Sequence, residues 1–278
     1  MADWLSGGVA AITGAGSGIG AALAQDLARR GLHLALSDRN VGALEAVAAL
    51  ARASGVKVTT SVFDVTDRAA CDAWPLDVLA AHGKVTVLVN NAGVALAGTF
   101  QQVSAADFDW LMDINFHAPV RLTRAFLPLL AREPAAQLVN MSSIFGIIAP
   151  PQQTAYCAAK FALRGFSQSL RHELLSEGST VGVTVVHPGG VDTAIASSAR
   201  RPVDAKPQDV EMLQKAWKAL PKLAPEDAAR VIGDAIARRA PRVLVGPDAK
   251  RAAVVERLSP VAYWKFIGPA LARAIAKA

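Results

Sequence analysis

The chain has 278 residues, 52% of them hydrophobic and 19% charged, which excludes a disordered chain and fills a substantial core in one large domain or two small ones. Its two cysteines, Cys71 and Cys157, stand apart from any CxxC or His/Cys cluster, so a disulfide framework or a structural zinc site is excluded and a reducing cytoplasm fits. The net charge of +6 is dispersed in pairs such as Arg29-Arg30, Arg200-Arg201 and Arg238-Arg239, without aromatic interleaving, which describes a solvated basic surface and not a nucleic-acid site.

At the N-terminus, Met1 to Leu5 lack the basic start and apolar run of a secretory signal, and no later stretch of about 18 apolar residues is long enough to cross a membrane. Residues 9–13 form an apolar run of strand length followed by glycines, and 18–30 read as a helix that ends at Gly31. A second strand at 33–37 precedes a helix at 41–52, and a third at 56–63 precedes a helix at 69–81. A fourth strand at 85–89 leads to a long helix at 107–130, which Pro128 is placed to end or bend. A fifth strand at 137–141, a helix at 155–176, a sixth strand at 181–186 and a late seventh at 242–245 complete the alternation.

Apolar strands alternating with helices imply parallel strands, covered on both faces and joined by right-handed crossovers. The expected fold class is α/β: a doubly wound, seven-stranded parallel sheet of Rossmann-like type. Residues 1–249 are expected to form a single catalytic domain, and 250–278 a helical tail interrupted by Pro260 and Pro269. The stretch 193–225 breaks the rhythm with four prolines around a helix at 210–219, and 194–225 reads as a substrate lid. Its Ile195, Met212, Leu213, Trp217 and Leu220 suit an apolar substrate, or the packing of the lid itself. The tail carries basic residues beside Leu258, Val261, Tyr263, Trp264 and Phe266. Packing on the parent domain or on a neighbouring subunit is favoured there over membrane attachment, because the prolines cut any continuous interfacial helix.

Ligands in a doubly wound sheet bind beyond the carboxyl ends of the strands, so the residues that follow each strand carry the chemistry. After the first strand, Thr13-Gly14-Ala15-Gly16-Ser17-Gly18-Ile19-Gly20 makes a glycine-rich turn into a helix, where bare backbone can approach a pyrophosphate. Asp38 ends the second strand and can accept hydrogen bonds from an adenosine ribose, or else cap the next helix. Its charge opposes a 2′-phosphate and favours NAD over NADP, although Arg39 beside it is able to pair such a phosphate. Asp64-Val65 and Asn90-Asn91-Ala92-Gly93 follow the third and fourth strands, to contact adenine and hold the central strand tips, or as ordinary turn residues.

The most specific pattern is Tyr156-Cys157-Ala158-Ala159-Lys160, which puts a phenol and an ammonium one helical turn apart, thirteen residues beyond Ser143. A nearby cation stabilises phenolate and is expected to draw the tyrosine pKa toward neutrality, as a general acid/base requires. Three histidines, His117, His172 and His187, have no metal-ligand spacing, and structural roles are expected for all three.

Together these residues resemble the short-chain dehydrogenase/reductase family in its compact single-domain form, over about two-thirds of the chain. The resemblance implies that Tyr156 exchanges a proton with the substrate oxygen and that Lys160 binds the nicotinamide ribose. It further implies that Ser143, with Ser142 as the competing choice, polarises the same oxygen, and that Asn115 holds a water linked to Lys160. Asn115 also reads as a helical residue bonding to local backbone. NAD or NADP would lie along Gly14, Ser17, Gly18, Ile19 and Gly20, then Asp38, Arg39, Asp64 and Val65. Asn91, Ala92, Gly93 and Val191 would contact it as well, and Pro188, Gly189 and Thr193 would shape its nicotinamide end. The expected reaction is hydride transfer between nicotinamide and a secondary alcohol or ketone, with no metal. A dehydratase or epimerase on the same fold, and a noncatalytic cofactor sensor, are the alternatives. A homodimer or homotetramer is implied, built partly on helices 107–130 and 155–176, where Phe126 and Phe166 are surplus apolar residues.

Overall fold

The computed structural model describes residues 3–202 and 222–276. Its strands are β1 (Val9–Thr13), β2 (His33–Asp38), β3 (Val58–Val62), β4 (Val87–Asn90), β5 (Ala136–Met141), β6 (Val181–Pro188) and β7 (Arg242–Val245). They form one sheet in the order β3-β2-β1-β4-β5-β6-β7, and every pairing is parallel. Between them run α1 (Gly18–Arg29), α2 (Val41–Arg52), α3 (Arg68–His82), α4 (Ala105–Met112), α5 (Ala118–Leu130) and α6 (Thr154–Ser176). Helices α7 (Pro225–Ala237), α8 (Pro247–Leu258) and α9 (Tyr263–Ala276) complete the described chain.

The expected doubly wound sheet is present, and burial explains why its strands read as apolar runs. Alternate residues of β1 serve opposite faces: Ala10 and Ile12 enter a core with Leu23, Leu36 and Ile232, whereas Val9 and Ala11 enter one with Trp74, Leu88 and Phe126. The chain order reverses between β1 and β4, which opens the crevice where such sheets bind ligands.

Three local expectations are corrected. The helix expected at 107–130 is divided by a π turn, Asp113–His117, between α4 and α5. Pro128 does not end α5, which runs on to Leu130, and Pro269 does not interrupt α9. Both prolines are exposed, so water can satisfy the carbonyl that each leaves unbonded. Phe126 is fully buried within the chain and is not available to an interface between subunits, while Phe166 is half-buried in an edge-to-face contact with Phe116.

The expected helix at 210–219, with Met212, Leu213, Trp217 and Leu220, lies outside the described residues. The stretch leading to it folds back over the β4–α4 loop. Arg200 pairs its backbone with Leu96, places its guanidinium 2.7 Å from Asp107 Oδ1, and stacks 3.7 Å from the Trp110 ring. Pro202 sits against Gly98, where a Cβ would lie only 2.6 Å from its ring.

The two C-terminal helices turn one face inward. Ala249, Ala252, Ala253, Tyr263 and Ile267 pack with Ile144, Ile147 and Ile148, and the Tyr263 hydroxyl accepts the Ala149 N–H at 2.9 Å. Burying a large apolar side chain stabilises by about 1.5–3 kcal/mol, so losing this packing bares adhesive surface. Truncation after Gly246 is therefore expected to give an aggregating or inactive protein in size-exclusion chromatography and turnover assays. A truncated chain that stays soluble and fully active would show that the tail is dispensable to the fold.

Candidate active site

The glycine turn after β1 lies against the tip of β4. Asn91 donates Nδ2 to the carbonyls of Thr13 and Gly14, both at 3.0 Å, and the Thr13 hydroxyl accepts the N–H groups of Asn91 and Ala92, both at 3.1 Å. This approach requires bare backbone. A Cβ on Gly14 would stand 2.8 Å from Ala92 Cα, and one on Gly20 would run into the Gly14 carbonyl. Gly14 and Gly18 also take positive φ, of 63° and 54°. Ser17 opens α1 in extended conformation without a side-chain cap, so the first N–H groups of the helix, from Gly18, Ile19 and Gly20, keep their capacity for an anion. This cradle fits a dinucleotide pyrophosphate.

Asp38 reaches the same turn, its Oδ2 accepting the Gly16 N–H at 2.9 Å. Helix α2 is capped by Asn40, whose Oδ1 accepts Ala43 N–H at 3.0 Å, so Asp38 is not the cap. Arg39 instead faces Asp64, 3.6 Å away and largely exposed, while Asp64 Oδ1 accepts the N–H and hydroxyl of Thr66. Val65 is buried, and its carbonyl takes Arg121 Nη1 at 3.0 Å.

On the far side of the crevice, β6 ends at Pro188. Gly189 donates its N–H to the Val245 carbonyl at 2.9 Å, and Val191 is buried beside Leu223. Thr193 lies over the glycine turn, its Cγ2 3.0 Å from where a Gly18 Cβ would stand. The loops after β1 and β6 therefore meet and close the crevice.

Tyr156, Lys160, Ser143 and Asn115 converge below it. Ser143 is extended and caps a short 3-10 turn (Ile144–Gly146) by accepting Phe145 N–H at 3.1 Å, and its hydroxyl acts to lower the pKa of the Tyr156 phenol. Lys160 is buried, donates Nζ to the Met141 carbonyl at 3.0 Å, and lies 5.5 Å from the centroid of the Tyr156 ring. Asn115, on the π turn, is fully buried and clamps Val94 from both sides, accepting its N–H at 3.0 Å and donating to its carbonyl at 2.8 Å. Gly93 lies between these groups: its Cβ would come 2.8 Å from Asn115 Oδ1 and 3.6 Å from Lys160 Nζ. Ser142 turns away and donates to the Lys160 carbonyl at 2.9 Å, a position behind the site.

The electrostatics correct one expectation. Burial pushes the Tyr156 phenol up to about 12, against the opposing hydrogen bond from Ser143. Burial likewise pushes Lys160 down to about 8. The ammonium sits over the ring and gives a hydrogen bond to Met141, so desolvation outweighs it and the phenol is not drawn toward neutrality in the free protein.

The chain as a whole is similar to known proteins. The family model for short chain dehydrogenases matches residues 8–204. The chain belongs to the short-chain dehydrogenase/reductase family. A Mycobacterium tuberculosis protein bearing the name oxidoreductase SadH is 40% identical to this short-chain dehydrogenase over 268 residues, covering 96% of each chain. A short-chain dehydrogenase/reductase from Burkholderia phymatum, crystallised with NAD, has a TM-score of 0.83 and 34% identity, covering 91% of this chain and 94% of its own. An alcohol dehydrogenase from Thermococcus sibiricus, crystallised with 5-hydroxy-NADP, has a TM-score of 0.70 and 30% identity, covering 81% of this chain and 88% of its own.

One site residue of this chain is absent from the sequence-based expectations. Asp248, in the first turn of α8, accepts the Gly190 N–H at 2.7 Å and occupies the space a Gly189 side chain would need. It stands just beyond the end of β7, where the strand-tip rule points, but no neighbouring motif marks it. His187 is buried with Nδ1 2.9 Å from the Ser143 carbonyl, and desolvation pushes its pKa down to about 4, a neutral structural histidine. Replacing Asp248 with Ala removes a charged acceptor worth about 1.5–3 kcal/mol and frees the Gly189–Gly190 turn. A lowered denaturant midpoint and weaker cofactor binding are expected, both largely restored in Asp248→Asn; unchanged values in Asp248→Ala would show that the turn holds itself.

Proposed function

We propose that this chain is an NAD(P)-dependent alcohol dehydrogenase or ketone reductase acting on a secondary alcohol or ketone. The carrying observation is buried Tyr156 with buried Lys160 5.5 Å from its ring, in the crevice below a glycine-lined cradle. The cradle would hold the pyrophosphate, Asp38 the adenosine ribose, and Lys160 with the Pro188–Thr193 turn the nicotinamide end. When bound, the cofactor supplies the hydride acceptor or donor and, in its oxidised form, a positive charge.

Ketone reduction suits the free-protein electrostatics directly. With its pKa raised to about 12, Tyr156 holds a proton at Oη, ready for the substrate oxygen as that oxygen gains charge. Ser143 Oγ bonds the same oxygen and orients it. In alcohol oxidation the substrate hydroxyl gives its proton to Tyr156, and Lys160 beneath the ring stabilises the phenolate that accepts it. Asn115 next to Lys160 would hold a water that reconnects the ammonium to solvent. Leu96, Val94 and Phe145 pack around Tyr156, which favours an apolar substrate. The family resemblance further supports a homodimer or homotetramer, with partly exposed Phe161 on α6 in place of buried Phe126.

Asp38 at the glycine turn disfavours a 2′-phosphate by about 1–4 kcal/mol, and Arg39 is already turned to Asp64. A surface pair of that kind is worth only about 0–1 kcal/mol, so Arg39 keeps NADP as the alternative. NAD is expected to give the higher kcat/KM, and Asp38→Ser to move the ratio toward NADP by about tenfold or more. Equal values for the two cofactors in the wild type, or a preference for NADP, would overturn the charge argument.

Tyr156→Phe removes the transferable proton and little volume. It is expected to lower turnover of secondary alcohols and ketones by about 10²–10⁴-fold, with cofactor affinity by fluorescence titration nearly unchanged. A purified variant that keeps more than about a tenth of wild-type activity would remove Tyr156 from the chemistry.

A further inference from the structure

The inward face of the α8–α9 pair is used in packing, but its outward face is not. Val254, Leu258, Val261 and Phe266 are 56%, 81%, 95% and 63% exposed, a concentration of large apolar side chains on two short helices and their connecting turn. Monomeric surfaces rarely gather apolar residues in this way without a partner. Spacing places Arg251, Val254 and Leu258 on one face of α8, and Phe266 and Arg273 on one face of α9.

Charge identifies the partner. Lys250, Arg251, Arg257, Lys265 and Arg273 are all exposed on these helices. Of the two acids in the same stretch, Asp248 is turned inward to Gly190 and Glu256 is only half-exposed. A twofold contact between copies would press this basic patch against itself, a like-charge juxtaposition. An anionic lipid surface complements it: apolar tips enter the headgroup boundary while the surrounding cations meet phosphate. Among the described residues no helix is long and apolar enough to cross a membrane, which leaves a contact lying in the surface.

We propose that the outward face of the α8–α9 hairpin docks on anionic membrane surfaces, with Leu258, Val261 and Phe266 inserted and Arg251 and Lys265 paired to lipid phosphate. This assignment is independent of the reaction at Tyr156. It leaves the expected packing of the inward face in place, and Pro260 makes a turn that presents Val261 on the other face.

The test is co-sedimentation of the full chain with sucrose-loaded vesicles of phosphatidylcholine alone, or with about a third phosphatidylglycerol. Binding to the anionic vesicles is expected to be about tenfold tighter or more, and to weaken in about 1 M salt. Arg251→Glu with Lys265→Glu should erase the preference for anionic vesicles, and Leu258→Ser with Val261→Asp should weaken binding generally. Turnover, thermal midpoint and light-scattering mass should stay at wild-type values in both variants. Equal partitioning to the two vesicles, or no sedimentation, overturns the proposal. So does a fall in mass for Leu258→Ser with Val261→Asp, which would assign the face to a second copy. Competition by duplex DNA with the same affinity in that apolar variant would reduce the patch to a general polyanion binder, and also overturns it.

Discussion

The burial of Lys160 is the constraint around which the site is assembled. Taking an ammonium out of water costs several kcal/mol even after relaxation, and here the cost shows as a pKa pushed down to about 8. Every neighbour of Lys160 answers that cost or makes room for it. Met141 supplies a carbonyl to Nζ, Ser142 ties the lysine's own carbonyl, and Gly93 and Gly146 leave the volume that a side chain would fill. The π turn in the helix after β4 then sets Asn115 against Val94, so that the loop bearing Gly93 cannot drift over the ammonium. Residues that look like separate motifs in the sequence are the supports of one buried charge.

The same desolvation acts on the phenol with opposite sign. On the proposed reading Tyr156 gives a proton in ketone reduction and takes one up in alcohol oxidation, and in the free protein it is held in its protonated form. The lysine is poised near neutral pH while the tyrosine is not, so charge arriving with the cofactor has a larger part to play than the Tyr–Lys spacing suggests. That spacing establishes neighbourhood; it does not report how much water each group has lost.

Much of the fold was legible because doubly buried strands carry apolar runs, and β1 and β4 announce themselves in this way. The candidate site was legible where the glycine turn follows β1 and where Tyr156 and Lys160 stand one turn apart on α6. What stayed hidden depends on contacts across the sheet. The π turn at Asp113–His117 leaves no mark in a 3.6-residue pattern, and Phe126 looks the same in sequence whether it faces the sheet or a partner. Asp248 resembles any acid in a first helical turn until the Gly190 N–H is found 2.7 Å away. The packing of the tail on the parent domain was legible, but the proline read as an interruption is a turn between two helices whose inner faces are packed.

Behind the site, Asn90 Nδ2 reaches Asn140 Oδ1 at 2.8 Å and Thr123 Oγ1 at 3.2 Å, Asn140 Nδ2 reaches Ser167 Oγ at 2.8 Å, and Ser167 returns to the Leu163 carbonyl at 2.6 Å. All four side chains are buried, and the chain of bonds links β4, α5, β5 and α6. Removing Asn90 orphans Asn140 Oδ1 and removing Ser167 orphans Asn140 Nδ2, at about 1–3 kcal/mol for each orphaned group. Descendants of this sequence can therefore exchange the chain for an apolar set only by changing several positions together. Drift at Asn90, Asn140 and Ser167 is coupled, and the helix that carries Tyr156 and Lys160 inherits its placement from residues that change together.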